Sequence, residues 1–264
     1  MYPFQFHRPA STDAATSLRA EHQDGLYMAG GQTLIPVMKQ RLAMPSDLID
    51  LGSIDGLVGI ARDGDTIVIG AMTSHADVAG SADVQSAIPA LAHLAGEIGD
   101  MHVRNRGTLG GSIANNDPAA DYPAGVLGLD ASIRTDRREI AADDFFTDLF
   151  ETALEDGELI TAVSFPVPKR AGYAKFPNPA SRYAVVGVMV AETNSGVRVA
   201  VTGAGACVFR AEAMEQALGV DFSAAALDGV AVDGGDFNSD IHASAEYRQH
   251  LVTVMAKRAV LAAD

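Results

Sequence analysis

Two Gly-Gly pairs constrain this chain more than any other feature. AGGQT occupies residues 29–33 and GTLGGS residues 107–112, some eighty positions apart, each pair beside a small hydroxyl residue and followed by an apolar run. Glycine reaches positive φ without steric cost and leaves no Cβ between the backbone and a ligand. A Gly-Gly turn between a strand and a helix therefore presents several N–H groups to a phosphate. GLYMA (25–29) reads as a short strand and LIPVMKQRLA as a helix with Pro36 in its first turn, so Gly30–Leu34 lies at such a junction. Thr33 adds a hydroxyl and the helix N-terminus adds partial positive charge. Gly107–Ser112 repeats the arrangement with Thr108 and Ser112 as hydroxyl donors. One such pair is a turn. Two with matched flanks are expected to form opposite walls of a single anion site, and a pyrophosphate has oxygens enough for both. Neither loop is a nucleotide fingerprint alone, because there is no G-x-G-x-x-G opening a βαβ unit and no G-x-x-x-x-G-K-[ST].

Periodicity and turn residues divide the chain into three parts. In the first, to about residue 55, SDLIDLGSI is a second strand after the helix. The second, about 56–166, opens with LVGIAR and DTIVIGA around Asp63-Gly64, the clearest hairpin signal present. Ser74 is expected to cap a short helix. IPALAHLAGEIG, AADYPAGVLGLDA and FFTDLFETAL read as helices, ASIRTD and ELITAVSFPVP as strands. Pro166 and Pro168 mark a boundary, giving domains at 1–166 and 167–264. In the third part RYAVVGVMVAET and GVRVAVTGAGA flank Asn194-Ser195-Gly196 and are expected to pair antiparallel. AEAMEQALG, SAAALDGVA and AEYRQHLVTVMAKRAVLAA read as helices, the last with Tyr247, Leu251, Val254, Met255 and Leu261 on one packing face.

Composition removes several functions. With 34 acidic against 19 basic residues the formal charge is −15, which repels nucleic acid and anionic membrane surfaces. No apolar run approaches the ~20 residues of a membrane span, and MYPFQFHRPAS lacks a signal-peptide layout, so a cytoplasmic location is expected. The single cysteine, Cys207, excludes an internal disulfide and any iron–sulfur cluster held by this chain alone; in an apolar strand end it reads as a small buried hydrophobe. His75, His93 and His102 have no helical ligand spacing, and no metal site is assigned to them.

The stretches AGGQTLIPVMKQRLAMPSDLIDL and VRNRGTLGGSIANNDPAADYPA resemble the two flavin-binding segments of the medium, FAD-binding subunit of molybdenum hydroxylases, the carbon monoxide dehydrogenase and xanthine dehydrogenase family. The resemblance runs on through KFPNPASRYAVVGV and covers essentially the whole chain. It implies an α+β fold: a vanillyl-alcohol-oxidase (PCMH)-type FAD-binding domain in two subdomains, then a C-terminal domain with a small antiparallel sheet and helices. By the same resemblance Ala29, Gly30, Gly31, Gln32 and Thr33 form the first pyrophosphate loop, with Leu34 alongside. Thr108, Leu109, Gly110, Gly111 and Ser112 form the second; Leu109 stands where many relatives carry Ile and Ser112 where many carry Asn, changes that leave the backbone donors in place. Asp121 matches an acid that contacts the sugar-like part of the cofactor, Ile160 an apolar residue near flavin or adenine, and Lys175 and Tyr183 a basic and aromatic pair at the isoalloxazine ring. There a cation stabilises reduced, anionic flavin. The implied assembly joins this noncovalent flavoprotein to a small subunit with [2Fe–2S] clusters and a large subunit with the molybdenum cofactor, as a dimer of heterotrimers. The chain is then an oxidoreductase subunit, inactive as a hydroxylase alone, that relays electrons to an external acceptor.

Without the resemblance, simpler readings of the same residues stay open. Asp117 and Asp121 flank a helix start, where capping accounts for one of them, Lys175 serves as a solvated strand residue and Tyr183 as a half-buried sheet residue. Arg104 and Arg106 suit either a phosphate loop or a partner contact. VRNRGTLGGS and NDPAADYPA are closer to the carbon monoxide dehydrogenase medium subunit than to xanthine dehydrogenase, and medium subunits serving N-heterocycle hydroxylases, such as those acting on nicotine, are very similar. A non-catalytic scaffold is the alternative from another class, and retention of both loops, Asp121, Lys175 and Tyr183 argues against it. A stand-alone flavin oxidase lacks an acid/base set here, and with no tryptophan and six tyrosines the chain has few aromatics to enclose a substrate.

Overall fold

A computed structural model describes residues 1–263. The chain begins with a three-stranded parallel sheet in which Asp47–Asp50 lies between Gln5–His7 and Leu26–Met28. Parallel neighbours need a crossover, supplied by helices Thr12–Glu21 and Leu34–Lys39. Ser11 caps the first helix by accepting from the N–H of Ala14. Ala15, Ile49, Leu51, Ile54, Leu57 and Leu159 fill a small core here. The edge strand Gln5–His7 went unread in the sequence: three residues paired in parallel to a distant strand leave neither alternation nor a turn signal.

The second unit is a five-stranded antiparallel sheet with Thr66–Gly70, Ile160–Pro166 and Ser132–Thr135 inside and Ile60–Asp63 and Glu139–Ala141 at its edges. The Asp63-Gly64 hairpin forms as expected, pairing Asp63 with Thr66, with Gly64 at φ +60°. In TIVIG the side chains alternate, Ile67 and Ile69 pointing into the core. Helices His75–Gly80, Pro89–Gly96, Leu109–Asn115 and Tyr122–Gly128 cover that face, and Ser74 caps the first through the N–H of Asp77. FFTDLFETAL is not a helix: Phe146–Asp148 and Glu151–Thr152 form a tight hairpin, with Phe150 at φ +55° reversing the chain.

The third sheet runs Arg170–Pro177, Ala184–Thr193, Gly196–Thr202, Phe209–Arg210, all antiparallel, and Thr193 pairs with Gly196 across the expected Asn194-Ser195 turn. AVVGVMVAET is apolar on both faces because both are covered. Met189 and Ala191 join the core beneath Tyr122–Gly128, while Val186, Val188 and Val190 pack against the final helix, Ala245–Leu261. Gly128 permits the close crossing, since a Cβ there would lie 2.7 Å from Cγ of Met189. SAAAL forms only a 3-10 turn, Ala224–Leu227. The buried face of the last helix is Arg248, Leu251, Val252, Met255, Ala256, Ala259 and Val260, so Tyr247 and Leu261 lie on the exposed side instead. Among the described residues no helix is long and apolar enough to cross a membrane.

Candidate functional site

The two Gly-Gly loops meet. A Cβ on Gly30 would run into the backbone carbonyl of Arg106, and one on Gly111 would lie 3.1 Å from Cβ of Ala29, so the segments touch backbone to backbone. Gly31 sits at φ +72°, a conformation open to glycine at little cost. The second loop is pinned from behind by the segment after Thr66–Gly70. His75 N–H donates to the carbonyl of Gly107 at 3.0 Å and Leu109 N–H to that of Thr73 at 3.1 Å, around a bridge between Ser74 and Thr108.

The loops are nevertheless unequal. Among the described residues the N–H groups of Gly30, Gly31, Gln32, Thr33 and Leu34 meet no acceptor in the chain. In the second loop four donors are committed: Leu109 to Thr73, Gly110 to Ala71, Gly111 to Oγ1 of Thr108, Ser112 to the carbonyl of Thr108. Thr108 keeps an N–H with no acceptor among the described residues, so the second loop offers one open backbone donor against five in the first, fewer than expected. The second loop offers hydroxyls: Oγ1 of Thr108 accepts from Gly111 and keeps its own proton to donate, and Ser112 lies on the wall. Gly110 is a packing glycine, its missing Cβ facing Ala71 at 2.6 Å.

Between the loops lies a cavity of about 680 Å³, within the range of cofactor sites. Ala29, Gly30, Gly31, Gln32, Thr33, Leu34, Thr108, Gly110, Gly111, Ser112, Asp121, Ile160 and Tyr183 all line it. Leu109 and Lys175 do not. Leu109 is fully buried in the core, as its side chain must be on a helix packed against Ile160–Pro166. The Lys175 ammonium points instead to Asp121 Oδ1 at 2.9 Å and to the carbonyls of Glu97 and Arg182 at 2.8 and 2.9 Å, its side chain 1% exposed. It is therefore not a solvated strand residue.

Asp121 precedes helix Tyr122–Gly128 but makes no side-chain capping bond, so capping does not account for it. Oδ1 accepts from the hydroxyl of Tyr173 at 2.6 Å and from Lys175, which leaves Oδ2 without a partner among the described residues. Burial pushes its carboxyl up, with Lys175 and Tyr173 pulling the other way. Asp117 caps no helix either: it closes the turn before Asp121, accepting from the N–H of Ala119. The unpaired N–H row, hydroxyls on the facing wall, a held carboxylate and a long cavity fit a dinucleotide such as FAD.

Models of two protein domains match the chain: an FAD binding domain in molybdopterin dehydrogenase over residues 2–168, and a CO dehydrogenase flavoprotein C-terminal domain over 171–263. The chain belongs to the FAD-binding medium subunits of the molybdenum hydroxylase family. It is 36% identical to the nicotine 6-hydroxylase medium subunit of Paenarthrobacter nicotinovorans, over 98% of this chain and 96% of that one. It is 34% identical to the carbon monoxide dehydrogenase medium chain of Hydrogenophaga pseudoflava, over the same shares. Among solved structures, reconstituted CO dehydrogenase from Oligotropha carboxidovorans matches with a TM-score of 0.91 at 34% identity, covering 98% of this chain and 97% of that one.

In this medium subunit the sequence reading missed several wall residues. Arg182, at φ +63° beside Tyr183, is the cation on the wall, and its guanidinium donates to the carbonyl of Gly99 at 3.3 Å. It stood in the quoted stretch ASRYAVVGV, where adjacency to Tyr183 was the available signal. Arg104 holds the same segment by donating to the carbonyls of Ile98 and Gly99. Tyr27 lines the wall and donates to the carbonyl of Gly157; burial pushes its hydroxyl up to about 12. His75 is buried beneath Gly107, where burial, aided by Arg104, lowers it to about 4, so it is neutral at pH 7. Burial, and then Asp117 and Asp121, raise the Tyr183 hydroxyl.

Proposed function

We propose that this chain binds FAD noncovalently between its two glycine loops and serves as the electron-relay subunit of a heteromeric molybdenum hydroxylase. Five consecutive unpaired N–H groups beside one cavity carry the reading, since a scaffold has no use for a row of donors left open. The N–H groups of Gly30–Leu34 hold the pyrophosphate from one side, and the hydroxyls of Thr108 and Ser112 from the other. Asp121 Oδ2 accepts a hydroxyl of the sugar-like chain, with Lys175 holding the carboxylate in place. Ile160 supplies apolar contact, Tyr183 covers the ring system, and Arg182 brings positive charge to the wall. When bound, FAD supplies the redox chemistry, accepting electrons from a partner's clusters and passing them to an external acceptor.

The partners in this reading are a small [2Fe–2S] subunit and a large molybdopterin subunit, assembled as a dimer of heterotrimers. The large subunit selects the substrate, consistent with similar identity to a nicotine 6-hydroxylase subunit and a carbon monoxide dehydrogenase subunit. Adding the complex's substrate should bleach flavin absorbance in the assembled complex and leave the isolated, flavin-loaded chain unchanged. Substrate turnover by the isolated chain would refute the relay.

A further inference from the structure

In the N-terminal unit three side chains from separate elements converge on one point. His7 ends the edge strand Gln5–His7, His22 follows helix Thr12–Glu21, and Asp47 opens the central strand Asp47–Asp50. His7 Nε2 lies 2.6 Å from Asp47 Oδ1 and His22 Nδ1 lies 3.3 Å from Oδ2. One ligand atom from each falls within 4.8 Å of the others, and the imidazoles stack with centroids 5.4 Å apart. Ser46 donates to Asp47 Oδ2 at 2.7 Å and fixes the carboxylate from outside. Asp47 is buried, whereas the two imidazoles remain 26% and 38% exposed, so an ion reaches the cluster from solvent.

We propose that His7, His22 and Asp47 form a binding site for a divalent transition metal of the Zn²⁺ type, with solvent completing a tetrahedron. Two imidazole nitrogens and one carboxylate oxygen are a zinc-type donor set, while Mg²⁺ and Ca²⁺ call for mostly oxygen ligands. Metal–ligand bonds of about 2.0–2.1 Å set ligand atoms about 3.3 Å apart in a tetrahedron. The His22 Nδ1–Asp47 Oδ2 pair already has that spacing, whereas His7 Nε2 contacts the other oxygen, Oδ1, and the two imidazole nitrogens, within 4.8 Å of each other, have to turn towards one point beside the carboxylate. A net charge of −15 raises the local concentration of divalent cations. The ion ties strand edge, helix end and central strand together. Because Leu26–Met28 pairs with that central strand and leads into the first glycine loop, the ion stiffens the unit that carries the loop without entering the flavin cavity.

The test uses the untagged, flavin-loaded full chain, stripped with chelator and titrated with Zn²⁺ by calorimetry, with Co²⁺ as a spectroscopic substitute. One ion per chain, a rise in melting temperature and visible Co²⁺ bands of tetrahedral nitrogen–oxygen ligation are expected. His7→Gln and His22→Gln should each weaken binding at least about tenfold and abolish the Co²⁺ bands, with flavin content unchanged. Should His7→Gln lose stability along with its short bond to Asp47, His22→Gln, with a longer and more exposed contact, still decides. No stoichiometric ion in wild type, or equal affinity in wild type and His22→Gln as for scattered surface histidines, overturns the proposal.

Discussion

Lys175→Met tests the buried pair beneath the cavity. Methionine keeps most of the stem but removes the charge from a carboxylate that is 4% exposed and the donor from the carbonyls of Glu97 and Arg182. Removing one partner of a buried ion pair costs about 3–5 kcal/mol, because the remaining charge stays desolvated. In a chain of this size each kcal/mol moves the melting temperature by about 2–4 °C, so a drop of about 6–20 °C is expected. The deficit should shrink as pH falls. Burial already pushes the Asp121 carboxyl up, and without Lys175 it takes a proton at a still higher pH and ceases to be a buried charge. Asp121→Asn/Lys175→Met, with no charge left, should recover most of the loss. Thermal melts of all three proteins across pH measure this. A single variant that melts with wild type, or a double variant no better than the single, would refute the account of Lys175 as the group that holds Asp121.

Three further perturbations follow from particular atoms. Gly30→Ala drives a Cβ into the Arg106 carbonyl and pries the loops apart, so flavin content should fall severalfold at a stability loss of about 1–3 kcal/mol. Gly110→Val instead pushes a side chain at Ala71 in the core and should cost folding itself; normal yield and melting in Gly110→Val would contradict that packing role. Glu158 is held down at about 2, chiefly by Arg138 at 2.9 Å against the opposing effect of burial, with help from the N–H of Glu155 and the Thr135 hydroxyl. Its depressed value contributes stability above the ordinary 4.5 and loses it as pH falls from there towards 2, on the order of 3 kcal/mol. Glu158→Gln should be less stable at neutral pH and show a flatter decline over that window in urea melts.

The sequence was most legible where a local signal had one geometric solution. Asp63-Gly64 between alternating runs and Asn194-Ser195 between β-branched runs admit little but hairpins, and both formed in register. The pairing of the Gly-Gly loops was legible from their matched flanks, and Gly30 against Arg106 shows them in contact. Direction was not. A motif does not say which way a side chain or a missing Cβ would point, so Leu109 looked like a wall residue although it lies in the core, and Gly110, whose backbone does line the cavity, has its missing Cβ against Ala71. Lys175 depends on groups at 97, 121 and 182, brought together by three separate elements, and no local pattern encodes that convergence. FFTDLFETAL has helical spacing, but the reversal at Phe150 and the Asn116 side chain, which donates to the carbonyls of Asp148 and Glu151, fix it as a hairpin. The apolar excess in AVVGVMVAET was visible, while its cause, a sheet shared between two cores, belongs to tertiary packing.

The central claim is that one dinucleotide lies across both loops, its pyrophosphate on the open N–H row of Gly30–Leu34. Titrating the flavin-free chain with FAD and with FMN, following flavin fluorescence, tests it most directly, together with Gly31→Val, in which a branched side chain meets φ +72° and Cδ1 of Ile35 at 2.6 Å. The account predicts that FAD binds more tightly than FMN in wild type and that Gly31→Val abolishes FAD binding while the chain stays folded. Equal affinity for the two flavins, or full FAD occupancy in Gly31→Val, would contradict it.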